Sequence, residues 1–181
     1  MSSSPRWVPR RPVICGDRAI ILCLARLGLR VSEVCRLRLD DLDWRQGVVS
    51  IPTRKNGHGA RLPITAELGK ALADYLQHGR PETATREVFV LVNQRPGAPI
   101  SDSIVGRAVR RALERAQIAA PSRGGNLLRH SLATELQAKG VHLVDIAGLL
   151  GHRFLATTRI YAAVDVDALK EVALPWPVTT R

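Results

Sequence analysis

The chain has 181 residues, 45% of them hydrophobic and 24% charged, the size and usage of a single folded domain and not of a disordered or collagen-like polymer. Its longest apolar run, Ala19 to Ala25, is closed by Arg26, far short of the ~20 residues a membrane span needs, and the N-terminus has no signal-peptide pattern. Twenty-seven Lys and Arg against 16 Asp and Glu leave a net charge of +11, and 23 of the 27 cations are arginine. The guanidinium fork matches phosphate oxygens, so the excess favours a polyanionic partner, with GC-rich coding bias as the competing source. The three cysteines, Cys15, Cys23 and Cys35, form no CxxC pair and no even-numbered disulfide framework. A reducing, cytoplasmic compartment fits, and no metal site is expected.

In chain order, Asp17 is a candidate N-cap for a buried helix over about 18–27, stopped by Gly28. Val31, Val34, Cys35 and Leu39 share one face of a second short helix, ended by the DDLDWRQG cluster. The runs GVVSIP and ARLPI flank TRKNGHG, whose Asn56-Gly57 is a turn signal, so a β-hairpin with a basic tip is predicted. Thr65 caps a helix to about Gln77, and EVFVLV reads as a short strand. Ser101 or Asp102 caps a basic helix carrying Arg107, Arg110, Arg111 and Arg115. Helical segments are predicted over about 126–139, 142–150, 155–163 and 165–173. The fold class expected is mainly α with a small antiparallel β-sheet, an α+β domain.

Four segments stand out: LGLRVSEV (27–34), the hairpin tip with Lys55, NLLRHSLAT (126–134) and LLGHRFLATTRIY (149–161). In order and spacing they resemble the catalytic domain of the tyrosine recombinases, the phage-integrase and Xer-like family. That pattern is an Arg, a hairpin Lys, His-x-x-Arg, a His or Trp, and a Tyr nine residues later. The chain supplies Arg30, Lys55, Asn126-x-x-Arg129, His152 and Tyr161.

The resemblance implies a DNA-cleaving and rejoining enzyme that works on double-stranded DNA of mobile elements through a 3'-phosphotyrosine, without metal or cofactor. Arg30 and Arg129 would stabilise charge on the non-bridging oxygens, with Glu33 supporting Arg30 from one turn away. Lys55 would protonate the leaving 5'-oxygen, His152 would bond the phosphate, and Tyr161 would be the nucleophile. Arg54, Arg61, Arg107 and Arg111 are candidate DNA contacts. Taken singly, each arginine reads as a surface or salt-bridged residue, Tyr161 as a core aromatic, His152 as a helix C-cap, and Lys55 has a plain phosphate contact as its alternative.

Two departures matter. Asn126 stands where the family usually has His; an amide donates a hydrogen bond but moves no proton near neutral pH. Only about 16 residues precede the first predicted helix. The expected organisation is therefore a basic tail over 1–16, a catalytic domain over 17–174 and a tail over 175–181, with the family's N-terminal core-binding domain absent. These departures keep a second reading open, an impaired or non-catalytic DNA-binding remnant. Leu169, Val172, Leu174 and Trp176 would support self-association on DNA if the family's habit of docking this segment on a neighbour holds, and would otherwise fold back in cis.

Overall fold

The structure is a computed structural model and describes residues 10–52, 59–93, 95–120, 124–142, 145–146 and 149–150. Helix α1 (Arg10–Arg26) is the central element. Cys15, Ala19, Ile20, Leu22, Cys23 and Leu24 are all buried, because α1 packs against helices on several sides. It starts well before the predicted 18. Pro12 falls in its first turn, where a missing N–H costs nothing. Asp17 is consequently not an N-cap: it lies inside α1, is 4% exposed, and holds Arg111 of a later helix.

After α1 the chain reverses at Gly28, whose φ of +60° suits glycine, and enters α2 (Val31–Arg36). This helix ends three residues earlier than the sequence period suggests. The Leu37 carbonyl accepts from the Val88 N–H at 2.7 Å and the Leu39 N–H donates to the Arg86 carbonyl at 2.9 Å, so cross-chain bonding takes the backbone out of the helix. The EVFVLV segment on the other side of those bonds is correspondingly no regular strand. It forms isolated bridges, Arg38 to Glu87 and Val90 to Pro99.

A three-stranded antiparallel sheet follows, β1 (Leu42–Asp43), β2 (Val48–Ile51) and β3 (Ala60–Pro63), in that order. The predicted hairpin is β2–β3, with Val49 opposite Leu62 and Ser50 opposite Arg61. Val49, Ile51 and Leu62 face the core, so the alternation of the pleat leaves Arg61 exposed. Strand β1 lies within the cluster read only as a helix stop, and pairs Leu42 with Val49.

Helix α3 (Ala66–Asp74) is capped as expected, Thr65 Oγ1 accepting from the Leu68 N–H at 3.3 Å, and ends in one π-turn over Tyr75–Gly79. The buried Tyr75 hydroxyl accepts from the Val90 N–H at 3.1 Å. The basic helix α4 (Asp102–Arg115) buries Val105, Ala108 and Val109, and α5 (Asn126–Ala138) buries Arg129, Leu132 and Leu136. Of the predicted 142–150 helix, Asp145, Ile146 and Leu149 are helical; the segments predicted over 155–163 and 165–173 lie outside the described residues. The architecture is mainly α with a small antiparallel sheet.

Candidate active site

Arg30 occupies the N-cap of α2 in extended backbone, φ −71° and ψ 154°. The Glu33 carboxylate turns back over it, accepting from the Arg30 N–H at 2.8 Å and from its Nη1 at 3.0 Å. Glu33 is 12% exposed and Arg30 35%. The carboxylate therefore fixes the arginine from the protein side while part of the guanidinium stays open to solvent. This is the supporting contact the one-turn spacing suggested.

Arg129 is the second anchor. It is 7% exposed, and its Nη1 donates to the Gly28 carbonyl at 2.5 Å while Nη2 donates to the Leu150 carbonyl. Gly28 lies two residues before Arg30 and Leu150 two before His152, so one side chain ties together segments carrying two further candidate residues. Close backbone approach makes this possible. A Cβ on Gly28 would stand 2.6 Å from Leu150 Cδ2 and 3.0 Å from Leu132 Cδ2, and one on Gly125 only 2.4 Å from Val31 Cγ2.

The beginnings of α2 and α5 thus meet. Asn126 opens α5, is exposed, and precedes Arg129 by one turn. The two helix starts lie beside Arg30 and the Arg129 clasp, with the Glu33 carboxylate turned over the first turn of α2. Such a corner suits an oxyanion or a phosphate. Of the two glycines that permit it, Gly28 was read from sequence only as a helix stop and Gly125 was not singled out. Their signal, a Gly beside each arginine-bearing motif in LGLR and GGNLLR, is visible only once the motifs are known to pack.

Arg61 lies on β3 leading from the hairpin tip and donates to Gln46 Oε1. Lys55 and Arg54 of that tip, His152, and Tyr161 lie outside the described residues. Arg107 is exposed on α4. Arg111 differs from the expectation of a phosphate contact. Its Nε and Nη2 donate to the two Asp17 carboxylate oxygens at 2.8 and 2.6 Å, so the fork that would grip a phosphate already grips a carboxylate. That hydrogen bond pushes the Arg111 pKa up further. Burial pushes the Cys23 thiol up to about 12, and burial with the Asp102 carboxylate does the same for Cys35; neither is a nucleophile at neutral pH. Among the described residues, no three His, Cys, Asp or Glu side chains are grouped to hold a metal ion, and no helix is long and apolar enough to cross a membrane.

Comparison with known proteins resolves the family. The phage integrase family profile matches residues 8–167. The chain belongs to the phage integrase family. It is 47% identical over 171 residues to y4rA of Sinorhizobium fredii, a protein named as an integrase/recombinase, covering 92% of this chain and 40% of the relative. Identity to y4gC of the same organism, which bears the same kind of name, is 36% over 165 residues, 90% of this chain and 84% of that one. The crystal structure of XerA recombinase superposes with a TM-score of 0.67 at 26% identity, covering 96% of this chain and 66% of XerA. The integrase-family chain thus spans about 40% of y4rA and about two-thirds of the XerA structure.

Proposed function

We propose that this integrase-family chain is the catalytic domain of a site-specific DNA recombinase that cuts and rejoins strands through Tyr161. The observation that carries the reading is the Arg129 clasp, which brings the Arg30 and Leu150 segments to the joined N-termini of α2 and α5. Family membership and the His152-to-Tyr161 spacing support it.

In the proposed step, the Tyr161 phenol oxygen attacks phosphorus, forming a P–O bond to the enzyme as the P–O5' bond breaks. Arg30 and Arg129 stabilise charge on the non-bridging oxygens. The phenol proton leaves for solvent, and Lys55 protonates the departing 5'-oxygen. Asn126 and His152 supply hydrogen bonds to the phosphate. A phosphodiester is exchanged for a phosphotyrosine diester, so the bond energy is retained for rejoining and no cofactor or metal enters the step. Arg54 and Arg61 contact the flanking backbone of duplex DNA, and the +11 net charge strengthens that binding at low salt. The domain runs over 17–174, extended N-terminally by the first turns of α1. The C-terminal segment with Leu169 and Trp176 docks on a neighbouring copy on DNA, and the protein acts in the cytoplasm on mobile DNA.

The test is a nicked suicide duplex, from which the cleaved product diffuses away and traps the enzyme on DNA. A covalent adduct is expected from the wild-type chain and none from Tyr161→Phe. An adduct retained in Tyr161→Phe overturns the assignment of the nucleophile. DNA binding without an adduct from the wild type overturns the enzyme reading.

A further inference from the structure

Over the first turns of α5, the polar side chains are divided by what they bond. Ser131 Oγ donates to the Leu127 carbonyl at 3.1 Å and Thr134 Oγ1 to the His130 carbonyl at 3.0 Å, so both hydroxyls are committed inside the helix. Arg129 is buried in its clasp. Asn126 and His130 are exposed, and neither side chain makes a hydrogen bond or ion pair among the described residues.

Helix geometry relates these last three residues. At roughly 100° per residue, His130 stands about 40° round the helix from Asn126, and Arg129 about 60° from it on the other side. Asn126 therefore lies between them. Side chains on an α-helix lean toward its N-terminus, so the His130 imidazole covers the turn that Asn126 opens, with about 5–6 Å between the two Cβ atoms. An imidazole carries at least one N–H donor whether neutral or protonated. The Arg129 side is closed by the clasp, so a DNA strand whose scissile phosphate sits at Asn126 passes on the open side, over His130.

We propose that His130 is a DNA-backbone contact, donating an imidazole N–H to the phosphate next to the scissile one. The contact seats the strand and takes no part in breaking the bond, because His130 stands about 100° round the helix from Arg129, too far to share its phosphate. The inference rests on the recombinase reading above, which places the scissile phosphate at this corner, and adds a substrate contact to it.

Two measurements on the full chain test the contact without knowledge of the cleavage site. Histidine acylation by diethyl pyrocarbonate, read by mass spectrometry, shows which imidazoles a short random-sequence duplex covers. Duplex should slow acylation of His130 about tenfold and leave His78 unchanged. His78 is the control because it pairs with Asp74 at 3.2 Å, eleven residues beyond the Glu67 that pairs with Arg26. In anisotropy titrations of the labelled duplex, His130→Ala should weaken binding about tenfold, the scale of a hydrogen bond to a charged group, and His130→Lys, which restores a donor, should recover most of the loss. On the suicide duplex, His130→Ala should raise the DNA concentration for half-maximal single-turnover rate and leave the limiting rate unchanged. Equal acylation of His130 with and without duplex, wild-type affinity in His130→Ala, no recovery in His130→Lys, or a lower limiting rate at unchanged half-saturation each overturns the proposal. A covalent adduct with His130 unprotected defeats this inference alone; protection of His130 with no adduct defeats the enzyme reading and supports the contact. Where His130→Ala melts below the wild type, the acylation of the unaltered chain decides.

Discussion

Arg129 and Arg111 each join elements far apart in sequence, and their acceptors differ. Arg129 of α5 bonds the carbonyl oxygens of Gly28 and Leu150, whereas Arg111 of α4 bonds both oxygens of the Asp17 carboxylate. A carbonyl satisfies an N–H without cancelling charge; a carboxylate does both. The first arrangement holds a corner together beside Arg30, itself held by Glu33, and the N-termini of α2 and α5. The second is a staple between α1 and α4. Identical side chains are thus separated into an electrostatic and a mechanical role by what they bond, and each role predicts a different loss.

The sharpest way to break this contrast is to remove each arginine's function. Arg129→Ala should lower single-turnover cleavage of the suicide duplex by about 10² or more, the scale of a lost preorganised charge donor. Arg129→Lys keeps the charge but cannot span both carbonyls, so it should recover only part of the rate. Full recovery by Lys would show that charge alone matters and that the clasp is incidental.

Asn126→His, one turn before Arg129, sharpens the electrostatic side. A titratable nitrogen at the phosphate should raise the cleavage rate about 3-fold to 10²-fold with DNA affinity unchanged, as read by single-turnover kinetics beside a binding titration. Equal rates would place Asn126 away from the phosphate or another base already in its place.

On the mechanical side, Asp17→Asn should cost about 1–3 kcal/mol of stability in urea unfolding, since it leaves buried and charged groups imperfectly paired, with little change in cleavage by the remaining folded protein. A loss of cleavage in folded Asp17→Asn would merge the two roles. The smallest effect concerns the thiols. With Cys23 and Cys35 pushed up to about 12, the thiolate is scarce at pH 8, so native-state labelling of either should be slow and should accelerate on unfolding. Rapid native labelling of Cys35 would show that the α2–α4 contact through Asp102 is open in solution.

Much of the fold was legible in the chain. The hairpin was marked by two β-prone runs around Asn-Gly, α3 by Thr65, and α5 by the helical segment expected over about 126–139 before Gly140; these are local signals, set by turn chemistry, capping and helix stops within a few residues. The family was legible for a related reason: order and spacing, which also nominate the candidate site residues, are linear properties. The signals that failed depended on partners. Asp17 has the identity of an N-cap, yet Pro12 lets the helix begin earlier and Arg111, 94 residues away, makes burial of the carboxylate tolerable. EVFVLV has strand composition, but the backbone facing it, Leu37 and Leu39, supplies only bridge contacts.

What the sequence alone determined is therefore the α+β class, the integrase pattern and the cationic excess. Tertiary structure decided what each arginine bonds within the protein. That choice rests on the through-space acceptors of each guanidinium, carbonyl for Arg129, carboxylate for Arg111 and none among the described residues for Arg107. It rests as well on the two glycines whose missing Cβ atoms let the helix ends meet, because hydrogen bonding and close packing act over ångströms in space and leave no periodic trace along the chain.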